Sequence, residues 1–364
     1  MDNAVTACPK CHVAVEDSEE YCEACGAKLS PTTTATDGPL AQEVCAPAPT
    51  DTDLSGTAST CQACGGEVAD DGYCGTCGAR APKHRDHFTE QPAAWVAAVC
   101  DRGLRHTRNE DAVALSAGDE PGSHAVLIVC DGVSSSVDSD LASLAGARAA
   151  RDVLAFSHSR GVGTGISLIA AVVARIGAAA DAANEAVREV TRNAKDVAGT
   201  DISQSQGPAS CTFVAAVVEQ DLVVVGSVGD SRAYWLPDAG VATALTLDDS
   251  FAQVQIAAGV PRKQAESGPQ SHAITRWLGA DAPDHTPTTA TMTLAEPGWL
   301  LVCSDGLWNY CSAAQDLADL VAKTSSTSPA DAEPLALAEA LVSWAILQGG
   351  QDNISVALAR VQPG

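Results

Sequence analysis

The chain contains 364 residues, of which 46% are hydrophobic. This is enough for one domain with a large core and a small additional unit. Its formal net charge of −25 disfavours a nucleic-acid partner, because binding to phosphates requires a basic surface. The N-terminus lacks the basic start and apolar core of a signal peptide, and Arg175 interrupts the longest apolar stretch, at 166–174. We therefore expect a protein that does not cross a membrane.

The N-terminal part holds two similar cysteine units, each with two C-x-x-C pairs separated by a short loop. Four thiolates so spaced suit one tetrahedral zinc ion, which would also supply the folding energy of so short a unit. We predict zinc ribbons at 1–30 and 59–80, each with one structural Zn²⁺; the alternative is loose reactive thiols. The predicted ligands are Cys8, Cys11, Cys22 and Cys25 in the first ribbon and Cys61, Cys64, Cys74 and Cys77 in the second.

Paired cysteines in a chain without a signal peptide are typical of metal binding in a reducing compartment, so we expect a cytoplasmic protein. The ribbons offer no open coordination position, and we interpret them as structural units that dock a partner or regulate the rest of the chain. Acidic residues outnumber basic ones in 1–92, which argues against DNA binding there. The polar segments 31–58 and 81–92 are predicted to be linkers.

The remaining region, 93–364, alternates between strand-like and helix-like patterns. Apolar runs predict strands near 94–100, 112–116, 124–130, 211–218, 221–228, 232–236, 241–246, 288–294, 298–303 and 353–360. Apolar periodicity predicts helices near 139–156, 166–196, 312–322 and 332–348. Short turns join neighbouring strands, so the sheets should be largely antiparallel. The pattern indicates an α+β fold in which helices cover the sheets.

Carboxylates stand at the ends of several predicted strands. Asp131, Asp230 and Asp305 each follow an apolar run, and Asp352 precedes one. A buried carboxylate is costly unless something cationic pairs with it. Several such strand ends meeting at one edge of a sheet would form an oxygen-rich site for hard divalent cations.

Seven motifs in this region resemble, in order and spacing, the type 2C metal-dependent protein phosphatases of the bacterial branch. They are 102–111, Asp131-Gly132, 229–234, 245–250, 274–279, 304–308 and Asp352-Asn353. The resemblance covers about 93–364 and implies a four-layer α/β/β/α sandwich of two mainly antiparallel sheets, here preceded by two small zinc ribbons. It also implies Mn²⁺- or Mg²⁺-dependent hydrolysis of phosphoserine and phosphothreonine in proteins, with a Ser/Thr kinase as the counterpart.

The resemblance assigns metal ligands residue by residue. Asp131 would bridge two Mn²⁺ or Mg²⁺ ions, and Gly132 would contribute its backbone carbonyl. Asp305 and Asp352 would be the other direct ligands, and Asp230 would bind a weaker third ion. Oxygen ligands of this kind favour Mg²⁺ or Mn²⁺ over Zn²⁺. Two such ions can activate a water for in-line attack on phosphorus.

The resemblance assigns roles around the ligands as well. Glu110 and Asp111 match the family's acidic pair, which contacts water at the metal centre, and Asn353 would support the ligands. The family usually carries a phosphate-binding arginine where this chain has His106. Protonated His106, or the adjacent Arg105, would then bind the substrate phosphate.

Three functional hypotheses follow, and the first is favoured because Asp131, Asp305 and Asp352 are all present. In the first hypothesis, the chain is a Ser/Thr phosphoprotein phosphatase whose ribbons locate or regulate it. The alternative is a catalytically weak scaffold of the same fold that binds phosphoproteins or kinases, which His106 favours. A third is a hydrolase of small phosphoesters, since the segment 246–279 would form an open flap beside the site.

Overall fold

The computed structural model describes residues 60–61, 64–155, 165–198, 207–268, 270–324 and 332–363, together with two short strands near the N-terminus. The chain divides into two compact units, Met1–Thr50 and Asp51–Gly364. The cysteines predicted to form the first ribbon and the predicted linker 31–58 lie outside the described residues.

Every strand and helix predicted in 93–364 has a counterpart in the structure, which also contains several short elements that were not predicted. The strands are β1 (Val5–Ala7), β2 (Ala14–Glu16), β3 (His87–Ala93), β4 (Val96–Asp101), β5 (Ala112–Ala117), β6 (His124–Cys130), β7 (Ser210–Cys211), β8 (Phe213–Glu219), β9 (Leu222–Val228), β10 (Arg232–Pro237), β11 (Thr243–Ala244), β12 (Leu278–Gly279), β13 (Thr288–Thr293), β14 (Gly298–Cys303) and β15 (Ile354–Val361). The helices are α1 (Ser139–Ala155), α2 (Gly165–Ala198), α3 (Phe251–Ala257), α4 (Arg262–Ala265), α5 (Asp305–Trp308), α6 (Ala314–Thr324) and α7 (Pro334–Gln348).

Two antiparallel sheets form the centre of the molecule, as predicted. One has six strands in the order β11-β10-β14-β15-β4-β3, and the other has five in the order β13-β9-β8-β6-β5. Their inner faces pack on each other, while α1 and α2 cover the outside of the five-stranded sheet and α6 and α7 the outside of the six-stranded one. The predicted α+β, four-layer sandwich is therefore confirmed.

Continuous apolar strands reflect burial on both faces. In β6, Leu127 and Val129 face the other sheet, whereas Ile128 faces the helices. In β14, Leu300 faces the other sheet and Leu301 faces α6 and α7. Since successive side chains of a strand point to opposite faces, a strand between two apolar layers has no polar face.

The prediction of a linker at 81–92 is wrong for most of that segment. A short 3₁₀ turn at His84–Asp86 leads into β3, which pairs with β4 at the edge of the six-stranded sheet. Every residue of β3 is exposed or half-buried. Polar side chains are tolerated on an edge strand, so its sequence resembles that of a linker.

Helix α2 is long and apolar. Its segment Ser167–Ala194 could cross a membrane by length and composition, a test that the core helix of a soluble protein also passes. In this fold its apolar face packs into the core, where Val172, Ile176 and Val187 are fully buried. The layered packing therefore accounts for the apolar composition of α2.

The contact between α2 and β9 depends on a glycine. A Cβ added at Gly226 would lie 2.3 Å from Cγ2 of Ile176. We expect G226A to lower the free energy of unfolding by about 1–3 kcal/mol, because a packed core does not accommodate an extra carbon. In an I176A background, which removes the clashing methyl, the same substitution should cost less.

Urea denaturation of the single and double variants measures these free energies. G177A is the matched control, because an added Cβ there meets nothing within 4 Å. Alanine in the helix interior should stabilise the protein by about 0.5–1 kcal/mol. Equal costs of G226A in the wild-type and I176A backgrounds would contradict the proposed contact.

Candidate active site

Strand register brings three carboxylates to one edge of the five-stranded sheet. Strand β5 begins beside the last residue of β6, so Asp111 and Asp131 lie at the same edge. The antiparallel order β9-β8-β6 places the end of β9, followed by Gly229 and Asp230, at that edge too. The predicted convergence of Asp131 and Asp230 is found in the structure.

The six-stranded sheet contributes two further carboxylates. The end of β14 lies beside the start of β15, since Cys303 pairs with Val356. Asp305 follows β14 as the first residue of α5, and Asp352 lies just before β15. Strands β14 and β15 pack directly on β6, which brings this edge against the first.

Burial and nearby negative charges raise the pKa of several of these carboxylates. Burial, followed by the charges of Asp111, Asp305, Asp352 and Asp230, raises the pKa of Asp131 well above its ordinary value. Burial also raises the pKa of Asp230 to about 7 and that of Asp111 to about 6. A group of carboxylates that resists ionisation in this way is stabilised by a bound cation.

Two buried oxygen atoms in this group have no hydrogen-bond partner among the described residues: Oδ1 of Asp111 and Oδ1 of Asp305. Their other oxygens are held in place. Oδ2 of Asp111 accepts from Ser304 Oγ (2.7 Å) and Ser355 Oγ (2.8 Å), and Oδ2 of Asp305 accepts from Asn309 Nδ2 (2.9 Å). Because the donor atoms are all oxygens, the site suits Mg²⁺ or Mn²⁺.

Glycine follows two of the aspartates because the backbone is crowded there. A Cβ at Gly132 would lie 2.7 Å from the carbonyl oxygens of both Glu110 and Ser139. A Cβ at Gly306 would lie 2.0 Å from the carbonyl oxygen of Asn353. In these Asp-Gly motifs, the aspartate supplies the carboxylate and the glycine lets neighbouring backbone segments pack closely beneath the site.

Glu110 lies beside the carboxylate group and is firmly held. Its Oε1 accepts from Ser139 Oγ (2.6 Å) and Arg108 Nε (2.9 Å). Burial alone would raise the pKa of Glu110, but the hydrogen bonds from Ser139 and Arg108 lower it. The backbone N–H of Glu110 donates to Asn353 Oδ1 (2.7 Å), and Asn353 Nδ2 donates to the carbonyl of Arg102 (2.8 Å). Asn353 therefore fixes the loop 102–110.

The two residues predicted to bind phosphate lie in different environments. His106 is half-buried, with Nε2 3.2 Å from Asp352 Oδ1 and Nδ1 3.6 Å from Glu110 Oε2. Arg105 is exposed. The structure thus brings His106, and not Arg105, into contact with the carboxylate group.

The predicted flap contains α3 and α4, which the sequence analysis did not foresee. Arg276, near the end of this segment, pairs with Asp249 (3.2 Å) and Asp284 (3.0 Å) rather than with the carboxylates of the site. Asp249 is itself attached to the five-stranded sheet, because its Oδ2 accepts from the backbone N–H of Gly229 (3.1 Å).

The four cysteines of the second unit form a compact cluster. The Sγ atoms of Cys61, Cys64, Cys74 and Cys77 all lie within 4.8 Å of one another. The Cys61–Cys77 and Cys64–Cys74 sulfur pairs are 3.7 and 3.5 Å apart. Tetrahedral zinc with Zn–S bonds of about 2.3 Å places its sulfurs about 3.8 Å apart. Hydrogen bonds from the backbone N–H groups of Cys77 and Thr76 lower the pKa of Cys74 to about 6.

Several supporting residues escaped the sequence analysis. Carboxylate oxygens of Glu110, Asp111 and Asp305 accept hydrogen bonds from Ser139, Ser355 and Asn309, respectively. Ser143 donates to the backbone carbonyl of Glu110, and the hydroxyl of Thr212 accepts from the backbone N–H of Asp131. Ser139 at the start of α1 is typical, because its partner Glu110 is 29 residues away in sequence. No local sequence pattern identifies a hydroxyl whose hydrogen-bond partner lies so far away in the chain.

Comparison with known proteins agrees with this architecture. Residues 103–344 match the family model described as Protein phosphatase 2C, so the chain belongs to the protein phosphatase 2C family. The serine/threonine phosphatase stp of Listeria innocua serovar 6a is 32% identical over 148 residues, 40% of this chain and 55% of that protein. The chain thus spans about half the length of the curated relatives it matches.

Solved structures share the fold. The Mycobacterium tuberculosis serine/threonine phosphatase PstP/Ppp is 25% identical with a TM-score of 0.56, and the match covers 73% of this chain and 98% of that one. The catalytic domain of the serine/threonine protein phosphatase PstP in complex with two manganese ions is 24% identical with a TM-score of 0.54, covering 73% and 96%.

The carboxylate group should make stability depend on divalent cations. We expect saturating Mg²⁺ or Mn²⁺ to raise the free energy of unfolding by roughly 3 kcal/mol, because a ligand at a hundred times its Kd stabilises the folded state by about that much. D305N should stabilise the metal-free protein by removing one repelling charge, and should weaken the response to metal.

Differential scanning calorimetry with and without EDTA measures both effects. D319N is the matched control, because Asp319 lies in α6, away from the carboxylate group. It should leave the metal response unchanged. A D305N protein that is destabilised without metal, or that responds to metal like wild type, would contradict this account of the site.

Proposed function

We propose that the chain hydrolyses phosphoserine and phosphothreonine in proteins, using Mn²⁺ or Mg²⁺ bound by the carboxylate group. The observation that carries this proposal is the convergence of five carboxylates, two of whose buried oxygens have no partner among the described residues. Membership of the protein phosphatase 2C family supports it, as do relatives named serine/threonine phosphatases and the manganese-bound PstP domain.

Each residue of the group has a proposed role. Asp131 would bridge two metal ions with the Gly132 carbonyl beside it, and Asp305 and Asp352 would complete the direct ligands. Asp230 would hold a third ion. Support for Asp131 as the bridge comes from its electrostatic position, since the charges of four other aspartates act on it.

The chain's own residues would then orient the reaction. Bound divalent ions would supply charge neutralisation and lower the pKa of water. Asp111, held by two serine hydroxyls, and Glu110, held by Ser139 and Arg108, would accept hydrogen bonds from the attacking water and fix its direction. His106 in its protonated form would contact the substrate phosphate beside Asp352.

The test is Mn²⁺-dependent phosphate release from a phosphothreonine peptide by the full chain. We expect D131N and EDTA each to reduce the rate roughly a hundredfold or more, since the lost charge stabilisation is worth several kcal/mol. H106A should mainly raise KM, by roughly tenfold to a hundredfold, because a hydrogen bond to a charged group contributes about 1.5–3 kcal/mol.

The alternatives give different outcomes in this assay. A folded wild-type protein that binds Mn²⁺ but releases no more phosphate than D131N would favour the scaffold hypothesis, with phosphoproteins or a Ser/Thr kinase as partners. A higher kcat/KM on small phosphate esters than on phosphopeptides would favour a hydrolase of small phosphoesters. K323A, at the exposed end of α6, is the control for loss of a charge.

We also propose that each cysteine unit binds one structural zinc ion in a reducing cytoplasm and serves as a docking or regulatory unit. Sulfur distances close to those of a tetrahedral site support this for the second unit. We expect two zinc ions per chain by atomic absorption, and one in C77S. C311S, which changes an isolated buried cysteine, should retain both. Equal zinc content in wild type and C77S would contradict the proposal.

A further inference from the structure

The second cysteine unit contacts the catalytic region through Arg80. This residue lies three positions after Cys77 and forms a strand bridge with Tyr73, so its backbone belongs to the cysteine unit. Its guanidinium reaches out of the unit. Nη1 donates to the carbonyl of Thr107 (2.6 Å), and Nη2 donates to both carboxylate oxygens of Asp86 (3.2 and 3.3 Å).

Asp86 connects Arg80 to a second arginine. Its carboxylate lies 3.5 Å from Nε of Arg102, and its backbone carbonyl accepts from the Arg102 N–H (2.8 Å). The guanidinium of Arg102 in turn donates to the carbonyl of His106. Two arginines that share one carboxylate therefore hold the consecutive carbonyls of His106 and Thr107.

These two carbonyls belong to the loop that carries the proposed phosphate contact. Between β4 and β5 the loop has no helix or strand, and Leu104, Arg105 and Thr107 are exposed. Asn353 holds both ends of the loop, because it accepts from the Glu110 N–H and donates to the Arg102 carbonyl. In the middle of the loop, the carbonyls of His106 and Thr107 are held by the two arginines.

The link is polar and half-buried rather than part of a packed interface. A cleft of about 400 Å³ lies beside it, lined by Cys61, Asp101, Leu104 and Ile346 among others. The side chain of Arg80 is 27% exposed to solvent, and that of Asp86 is 14% exposed. At that level of burial, hydrogen bonds between charged partners hold their geometry better than on an open surface.

We propose that Arg80 is a positioning residue for the substrate phosphate, through which the second cysteine unit orients the loop carrying His106. The inference rests on the proposed phosphatase function and deepens it. The cysteine unit is then part of how the enzyme binds phosphate, in addition to any partner it docks. Arg80 itself does not touch the substrate.

The experiment compares full-length wild type, R80A, R80K and H106A. We expect R80A to raise KM for the phosphothreonine peptide about fivefold, as loss of about one net hydrogen bond would, and to change kcat by less than about twofold. The Kd for inorganic phosphate, titrated into the Mg²⁺-loaded protein, should rise by the same factor. R80K should be intermediate, because an ammonium cannot bridge Thr107 and Asp86 as a planar guanidinium does.

The double variant R80A/H106A tests whether Arg80 acts through His106. If it does, the double variant has the KM and phosphate Kd of H106A alone, because neighbours in one network are not additive. R192A is the matched control, since Arg192 pairs with Glu185 on the exposed side of α2 and should change none of these values. R80Q replaces R80A if calorimetry shows R80A to be unfolded at the assay temperature.

Amide hydrogen exchange of 102–110, measured without any divalent metal, gives a readout independent of activity. Exchange there should be faster in R80A than in wild type and R192A. Unchanged KM and phosphate Kd in R80A, a fall in kcat alone, or effects of R80A and H106A that add in full would each overturn the proposal. A wild type that releases no phosphate would refute the proposed function instead, and phosphate binding and exchange would still decide the role of Arg80.

Discussion

The mutual repulsion of buried carboxylates is the constraint on which the rest of this structure depends. Register at the edges of two sheets buries Asp131 and brings four other aspartates near it, and both effects raise its pKa well above the ordinary value. Such an arrangement is unfavourable for the folded chain on its own. Serine hydroxyls on Asp111 and an amide on Asp305 offset part of the cost, and the two oxygens left without a partner in the described part of the chain indicate a cation.

The layered fold makes that concentration of charge tolerable. Each central strand is buried on both faces, so its register is fixed by large apolar side chains such as Leu127 and Leu300. A shift by one residue would exchange the two faces of a strand and also move its terminal aspartate away from the group. The same packing that excludes water from the core therefore determines the geometry of the site, and glycines at 132 and 306 let the backbones approach closely enough.

Prediction from the sequence succeeded where the determinants are local. Apolar runs, short turns and strand-ending aspartates mark β6, β9 and β14 and the residues that follow them. It failed for β3, because an edge strand with polar residues resembles a linker. It also missed Ser139 and the partners of Asn353, since the hydrogen bond between Asn353 and Glu110 spans 243 residues. Only the folded register brings such donors and acceptors together.

If His106 is the phosphate contact, as proposed, the surrounding loop must do more than it would for an arginine. A guanidinium is always charged and can bind phosphate through two N–H groups at once. An imidazole nitrogen forms a hydrogen bond in only one favourable direction. Here both ring nitrogens face carboxylates, Asp352 and Glu110, so a bound phosphate would have to share one of these two N–H donors. A histidine in this place therefore needs a more rigid backbone than an arginine would. Two arginines behind the loop hold its carbonyls, and one of them, Arg80, comes from the cysteine unit. On this proposal, the phosphate contact at His106 and the second cysteine unit are two parts of one arrangement.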